Sequence, residues 1–209
     1  MNVAVLGSGS WATALAKIVM HNVAEINWYI RKQETIDEFR EIRRNPNHLE
    51  WAYFDISRIN FSNDINQVLS EAELVILAVP SPYVKDVLAE ITVDMSQKKV
   101  ISAVKGMIPG DNILVTDYMH QHFHVPEANL GMITGPCHAE EIALQRLSYL
   151  TIGCKDTANA TEWKKLFDTP YVRTTPSNDM KGLEYASVMK NIYAIAAGMC
   201  TSLRYGDNF

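Results

Sequence analysis

The chain has 209 residues, of which 47% are hydrophobic, enough for one large domain or for one domain and the start of another. A net charge of -5 with pI ≈ 5.7 and no basic block argues against a nucleic-acid partner, and no apolar stretch is long enough for a membrane span. Three scattered cysteines, Cys137, Cys154 and Cys200, without a C-x-x-C pair, argue against disulfides and a zinc knuckle, and with no visible signal peptide they fit a reducing cytoplasm.

The apolar run Val3 to Leu6 predicts a strand that stops at Gly7. Gly7, Gly9 and Ala12 then have the spacing G-x-G-x-x-A, ahead of a helix through Thr13 to Met20. Gly7 permits a tight turn, Gly9 lets a pyrophosphate approach the backbone, and Ala12 lets the helix pack close to the strand. The free N–H groups and dipole at the helix start suit a diphosphate. An ordinary strand-to-helix turn of small residues is the alternative. Glu25 to Ile30 predicts a second strand ending at Arg31 and Lys32, beside the ribose of a bound dinucleotide. Two cations there suit a 2′-phosphate or a guanidinium stacked on adenine, which tilts the choice between NAD and NADP toward NADP. A pair of solvated charges is the alternative.

Gln33 to Arg43 has helical spacing, and Asn45-Pro46-Asn47 breaks it. His48 to Phe61 reads as aromatic and irregular, and Asp64 to Leu69 as a short helix. Leu74 to Val79 is a continuous apolar run, as in a strand buried on both faces of a parallel sheet. A helix follows at Tyr83 to Ile91, then a strand at Lys99 to Val104 with Lys105 at its carboxyl end, where ligands bind in such sheets. Asn112 to Gln121 is helical in pattern, and the alternating His120, His122 and His124 carry no metal-site spacing. The strand Leu130 to Thr134 ends in Gly135-Pro136-Cys137-His138-Ala139, again a glycine before a helix start. A Cys137–His138 hydrolase is disfavoured, because adjacent residues rarely face each other. Strands at Leu150 to Gly153 and Tyr171 to Thr174 flank a helix at Thr161 to Phe167. This alternation predicts an α/β fold, a Rossmann-like doubly wound and mostly parallel sheet over residues 1–178.

Residues 179–209 change character and predict the start of an all-helical second domain, with one helix from Gly182 to Ser202. Between Val188 and Cys200 nearly every residue is apolar or small, which predicts a helix buried on all faces. Lys190 and Asn191 are the exceptions. A buried lysine suits acid–base work at a lowered pKa; an ion pair or a stem reaching out to water is the alternative.

These pieces together resemble the NAD(P)-dependent glycerol-3-phosphate dehydrogenases of bacterial type. The matching stretches are GSGSWATA at Gly7 to Ala14, NPNHL at Asn45 to Leu49, AVPS at Ala78 to Ser81 and VKGM at Val104 to Met107. They continue with GPCHAEE at Gly135 to Glu141, MKNIYAIAAG at Met189 to Gly198 and GDN at Gly206 to Asn208. The resemblance implies hydride transfer between NAD(P)H and dihydroxyacetone phosphate or sn-glycerol 3-phosphate, a supply for phospholipid synthesis. It implies that Lys190 is the catalytic proton acceptor, that Asn191 orients it or the substrate, and that Lys105 touches cofactor and substrate. Gly135 and Cys137 would meet the substrate, and Ser10, Trp11, Arg31 and Ala139 the cofactor. The implied partners are a phosphorylated small molecule and, for a full-length enzyme, a second copy in a homodimer.

Three positions depart from the family pattern. Cys137 stands where Ser or Thr is usual, His138 replaces an aromatic residue, and Glu50 stands where an apolar residue is frequent. The family continues past G-D-N into a full helical domain with an arginine for the substrate phosphate, so a C-terminally truncated member is expected. A dinucleotide-binding module without turnover, or a related 3-hydroxyacid dehydrogenase, are the competing readings.

Overall fold

A computed structural model describes residues 1–206; Asp207 and Asn208 of the G-D-N motif lie outside them. Eight strands form one sheet in the order β3-β2-β1-β4-β5-β6-β7-β8. They are β1 (Val3–Leu6), β2 (Ile26–Tyr29), β3 (Ile59–Ser62), β4 (Leu74–Leu77), β5 (Lys99–Ser102), β6 (Leu130–Thr134), β7 (Ser148–Cys154) and β8 (Val172–Ser177). Every neighbouring pair is parallel except β6 with β7. The expected mostly parallel, doubly wound sheet is present. Strands β1 and β4 are buried at every position, because helices cover both faces of the sheet there.

The helices are α1 (Ser10–Val19), α2 (Gln33–Ile42), α3 (Ile65–Ser70), α4 (Ser81–Ala89), α5 (Val115–Phe123), α6 (Ala139–Ala143), α7 (Thr157–Phe167) and α8 (Met180–Ser202). Asp64 and Asp156 cap α3 and α7 through their carboxyl groups, each accepting from two backbone N–H groups of the first turn. One apolar cluster packs α1 and α7 against one face of the sheet, and a second packs α3, α4 and α5 against the other.

Two expectations need correction. The stretch His48 to Phe61 is not irregular to its end: Ile59 opens β3, paired in parallel with β2 at the sheet edge. Ile59 and Phe61 point inward while Asn60 is exposed, a period-two signal only four residues long that the preceding aromatics obscure. Phe61, Phe39 and Phe54 surround Trp28 with ring centroids 5.3 to 5.7 Å away.

The second correction concerns α8, which is not buried on all faces. Its buried residues are Met180, Glu184 and Ser187, all in its first half. Asp179 caps its start by accepting from Gly182 N–H at 2.9 Å. Gly153 of β7 lets α8 come close: a Cβ there would lie 2.7 Å from Leu183 and 2.9 Å from the backbone of Met180. Beyond Ser187 the helix leaves the sheet, and Ile192, Tyr193, Ile195 and Met199 are 56–63% exposed. Lys190 and Asn191 are exposed with them. The apolar sequence on all sides marks a helix that can be covered; among the described residues nothing covers its second half.

Candidate dinucleotide site and its lysine pair

In the strand order, β1 lies between β2 and β4, so the chain direction of winding reverses at the β1/β4 crevice. Ligands of open α/β sheets bind outside the carboxyl ends of the strands at that point. Gly7 follows β1 there with φ +118°, and a Cβ on it would lie 2.5 Å from the carbonyl oxygen of Ala78 at the end of β4. No side chain fits that place. Gly9 is the N-cap of α1 in ordinary extended backbone, φ -72° and ψ 175°, and a Cβ on it would meet nothing within 4 Å. The space above Gly9 is open. Helix α1 has no side-chain cap and no acid in its first turn, so the amides of Ser10, Trp11 and Ala12 are left to an external anion.

The turn is braced from three directions. Trp28 donates its indole N–H to the Gly7 carbonyl at 2.7 Å, which ties the turn to the aromatic cluster. Asn45, 1% exposed, donates to the Ser8 carbonyl at 2.9 Å and stands 2.8 Å from Thr13 Oγ1. Thr13 Oγ1 in turn donates to the Gly9 carbonyl at 3.0 Å. His48 Nδ1 shares a hydrogen bond with Ser10 Oγ at 3.2 Å. In the sequence Asn45 and His48 fall in a helix-breaking stretch and in the NPNHL match, and neither has a site role from its own chemistry there. A polar residue before a proline does not show that its amide turns inward to the glycine loop.

Two cavities meet at the turn. One, about 220 Å³, is lined by Gly7, Gly9, Tyr29, Arg31 and His48 with Pro80 and Tyr83. The other, about 370 Å³, is lined by Gly9, Ser10, Trp11, Pro80, Ala103 and Lys105, among others. Arg31 thus stands at the β2 end of the site, while Lys32 serves as the N-cap of α2. The Lys105 Nζ lies 4.8 Å from the centroid of the Trp11 ring.

Desolvation lowers the Lys105 pKa, and the Lys190 ammonium lowers it further; Cys137 and Glu140 oppose the shift. Both lysines also act on Cys137: burial raises the pKa of its thiol, and the hydrogen bond to the Tyr149 carbonyl and then the two cations pull it back. Cys137 is 5% exposed, and its thiol donates to the Tyr149 carbonyl at 3.0 Å. That hydrogen bond directs it toward β7. Gly135 is tightly enclosed, since a Cβ would lie 2.3 Å from the same carbonyl oxygen. Ala139 opens α6 and is 8% exposed. Lys190 is open to solvent on the part of α8 beyond its docked first half, and its charge is felt at Lys105 and at Cys137. No helix among the described residues is long and apolar enough to cross a membrane.

Comparison with known proteins gives a consistent picture. Residues 2–160 match the model described as NAD-dependent glycerol-3-phosphate dehydrogenase N-terminus, and residues 179–209 match the corresponding C-terminus. Glycerol-3-phosphate dehydrogenase (NAD(P)+) of an Exiguobacterium species is 32% identical over 209 residues, which is 99% of this chain and 61% of the relative. The protein of the same name from Oceanobacillus iheyensis is 32% identical over 208 residues, 99% of this chain and 60% of the relative. The chain thus spans about three-fifths of the length of these curated relatives. Among solved structures, Plasmodium falciparum glycerol-3-phosphate dehydrogenase superposes with TM-score 0.90 at 29% identity, covering 100% of this chain and 61% of the other. The Coxiella burnetii glycerol-3-phosphate dehydrogenase structure shares the fold, with TM-score 0.82 at 23% identity over 99% of this chain and 63% of that one.

Proposed function

The chain belongs to the NAD-dependent glycerol-3-phosphate dehydrogenase family, and from that premise we propose that it holds NAD(P) across the β1/β4 crevice as the cofactor half of such an enzyme. The open space at Gly9 and the uncapped start of α1 fit a pyrophosphate. Ser10, Trp11 and Ala12 would hold it by their amides, Gly7 and Gly9 by their lack of a side chain. Arg31, with Lys32 beside it, would meet the ribose, with NADP favoured over NAD. Trp11, Lys105 and Ala139 would flank the other end. A bound nicotinamide supplies or takes up a hydride. Lys190 as ammonium would donate a proton to the oxygen of dihydroxyacetone phosphate as it becomes an alkoxide, and accept it back in the direction of oxidation. Lys105 would add positive charge at the same oxygen, and Asn191 would orient Lys190. Gly135 and Cys137 would line the substrate side. This reading divides the chain at residues 1–178 and 179–209, and it places a complete enzyme in the cytoplasm as a homodimer. The exposed apolar second half of α8 supports an assembly or domain surface there.

The observation that carries the proposal is the glycine turn itself: open space at Gly9, an uncapped α1, and two cavities that meet there, one of them lined by Lys105. The exposure of Lys190 favours one second reading, a cofactor-binding module without turnover. Titration of NADPH and NADH, together with turnover of dihydroxyacetone phosphate, separates the two. Turnover that falls by about 10²–10⁴ in Lys190→Ala, at unchanged cofactor affinity, supports the enzyme. Binding without turnover supports the module, and loss of both cofactor affinities to the level of a Gly9→Ala variant refutes both.

A further inference from the structure

Glu184 is 0% exposed and lies on α8, the helix that carries Lys190. Its carboxyl group accepts from Thr116 N–H at 3.2 Å and from Thr116 Oγ1 at 2.5 Å. Thr116 is in the first turn of α5, whose N-cap, Leu114, offers no side-chain cap. Glu184 therefore supplies from another element the cap that α5 lacks. Burying a carboxyl is costly unless its hydrogen bonds are made, so this contact fixes one relative position of α5 and α8.

What lies at either end of the contact gives it a consequence. Lys105 follows β5, where Ala103 N–H still donates to the Leu77 carbonyl, so the sheet holds it; a segment leads from there to α5. That segment is stapled to itself by hydrogen bonds from Ile108 N–H to the Ile113 carbonyl and from Asn112 N–H to the Ile108 carbonyl. Ile108 is buried in one apolar cluster with Val100, Val104 and Val115, so the turn before α5 and α5 itself pack on the sheet together. On the other side, Glu184 and Ser187 are the last buried residues of α8 before it leaves the sheet. Lys190 is carried on the arm beyond them. A Lys181–Asp117 ion pair at 3.0 Å crosses the same junction but is exposed and weak by comparison.

We propose that Glu184 is a positioning residue: by capping α5 from α8 it fixes where α8 leaves the sheet and so where Lys190 stands, which rests on the reading of Lys190 as the proton-transferring lysine. The test is made on the 209-residue chain with spin labels at Asp86→Cys on α4 and Ile195→Cys on α8, both exposed positions, in a Cys200→Ser background. Mixed with an excess of unlabelled chain, so that only distances within one chain are read, the parent should give one narrow distance distribution. Glu184→Ala should shift and broaden it, Thr116→Val should do so in part, and Glu184→Gln, which keeps the shape and one acceptor, should restore it. Thr116→Val and Glu184→Gln keep the test open if the alanine variant does not fold. Where the chain turns over dihydroxyacetone phosphate, Glu184→Ala should lower kcat by about tenfold or more with cofactor affinity unchanged. An unchanged distribution in both Glu184→Ala and Thr116→Val overturns the proposal. Absence of turnover in the parent counts against the dehydrogenase reading alone, since the distances are measured without it.

Discussion

Gly7 and Gly9 sit two residues apart in one turn, and the structure gives them opposite sensitivities. A methyl group at Gly7 meets two obstacles. The backbone is at φ +118°, which costs a non-glycine residue about 1–3 kcal/mol. The new Cβ lies 2.5 Å from the Ala78 oxygen and 3.0 Å from its carbonyl carbon. Both belong to backbone at the end of β4, so relief requires prying β1 from β4, an overpacking cost of about 1–3 kcal/mol more. A central value of about 4 kcal/mol lowers Tm by roughly 8–16 °C for a chain of this size. At Gly9 the backbone is extended and the methyl meets nothing. A poorer N-cap and a stiffer unfolded chain roughly cancel, leaving stability within about 1 kcal/mol. The methyl instead occupies the approach of a pyrophosphate. Losing one charge-assisted hydrogen bond, about 1.5–3 kcal/mol, weakens cofactor binding by roughly tenfold to hundredfold. Scanning calorimetry read beside a fluorescence titration with NADPH measures both quantities. Gly7→Ala should fail in stability, and Gly9→Ala in binding with nearly parental melting. Parental affinity in Gly9→Ala would refute the placement of the diphosphate, and parental Tm in Gly7→Ala would refute the strain argument.

The coupling of the two lysines has its own signature. Removing the Lys190 charge should raise the Lys105 pKa, seen as an upward shift in the pH at which Lys105 becomes reactive to an acylating reagent; no shift would separate the two side chains. Glu184 has a carboxyl pKa raised chiefly by burial. The folded state then holds a proton that the unfolded state releases, so this group's contribution is complete below the ordinary glutamate range and is lost as pH rises through the raised value. Glu184→Gln should flatten that decline in denaturant titrations, and an identical pH profile would contradict it. Arg31→Ala should weaken NADP more than NAD, and equal losses would remove the 2′-phosphate from Arg31. The exposed Ile192, Tyr193, Ile195 and Met199 should make the chain self-associate; sedimentation as a single monomer over a wide concentration range would count against this.

Local chemistry made part of the molecule legible before any coordinates. The glycine spacing, the apolar runs at β1 and β4, and the lysine after β5 each express a requirement set within a few residues, and each lies where that requirement placed it. The parts that were not legible depend on a partner distant in the chain. Asn45 supports the glycine turn only because its loop folds back on Ser8 and Thr13. Glu184 is hidden by the same rule, since a single glutamate in an apolar helix gives no sign that Thr116 waits opposite. Lys190 shows the limit most clearly. Its apolar surroundings in sequence led to burial, yet a helix presents its faces to whatever packs on it, and here only the first half of α8 is packed. Burial was therefore the wrong basis for a functional role. A different basis is electrostatic: after burial, it is the Lys190 ammonium that holds the Lys105 pKa down, a repulsion that an electron-rich group between the two would relieve. The oxygen of a reducible carbonyl, becoming negative as it reacts, is the kind of group that both charges would favour.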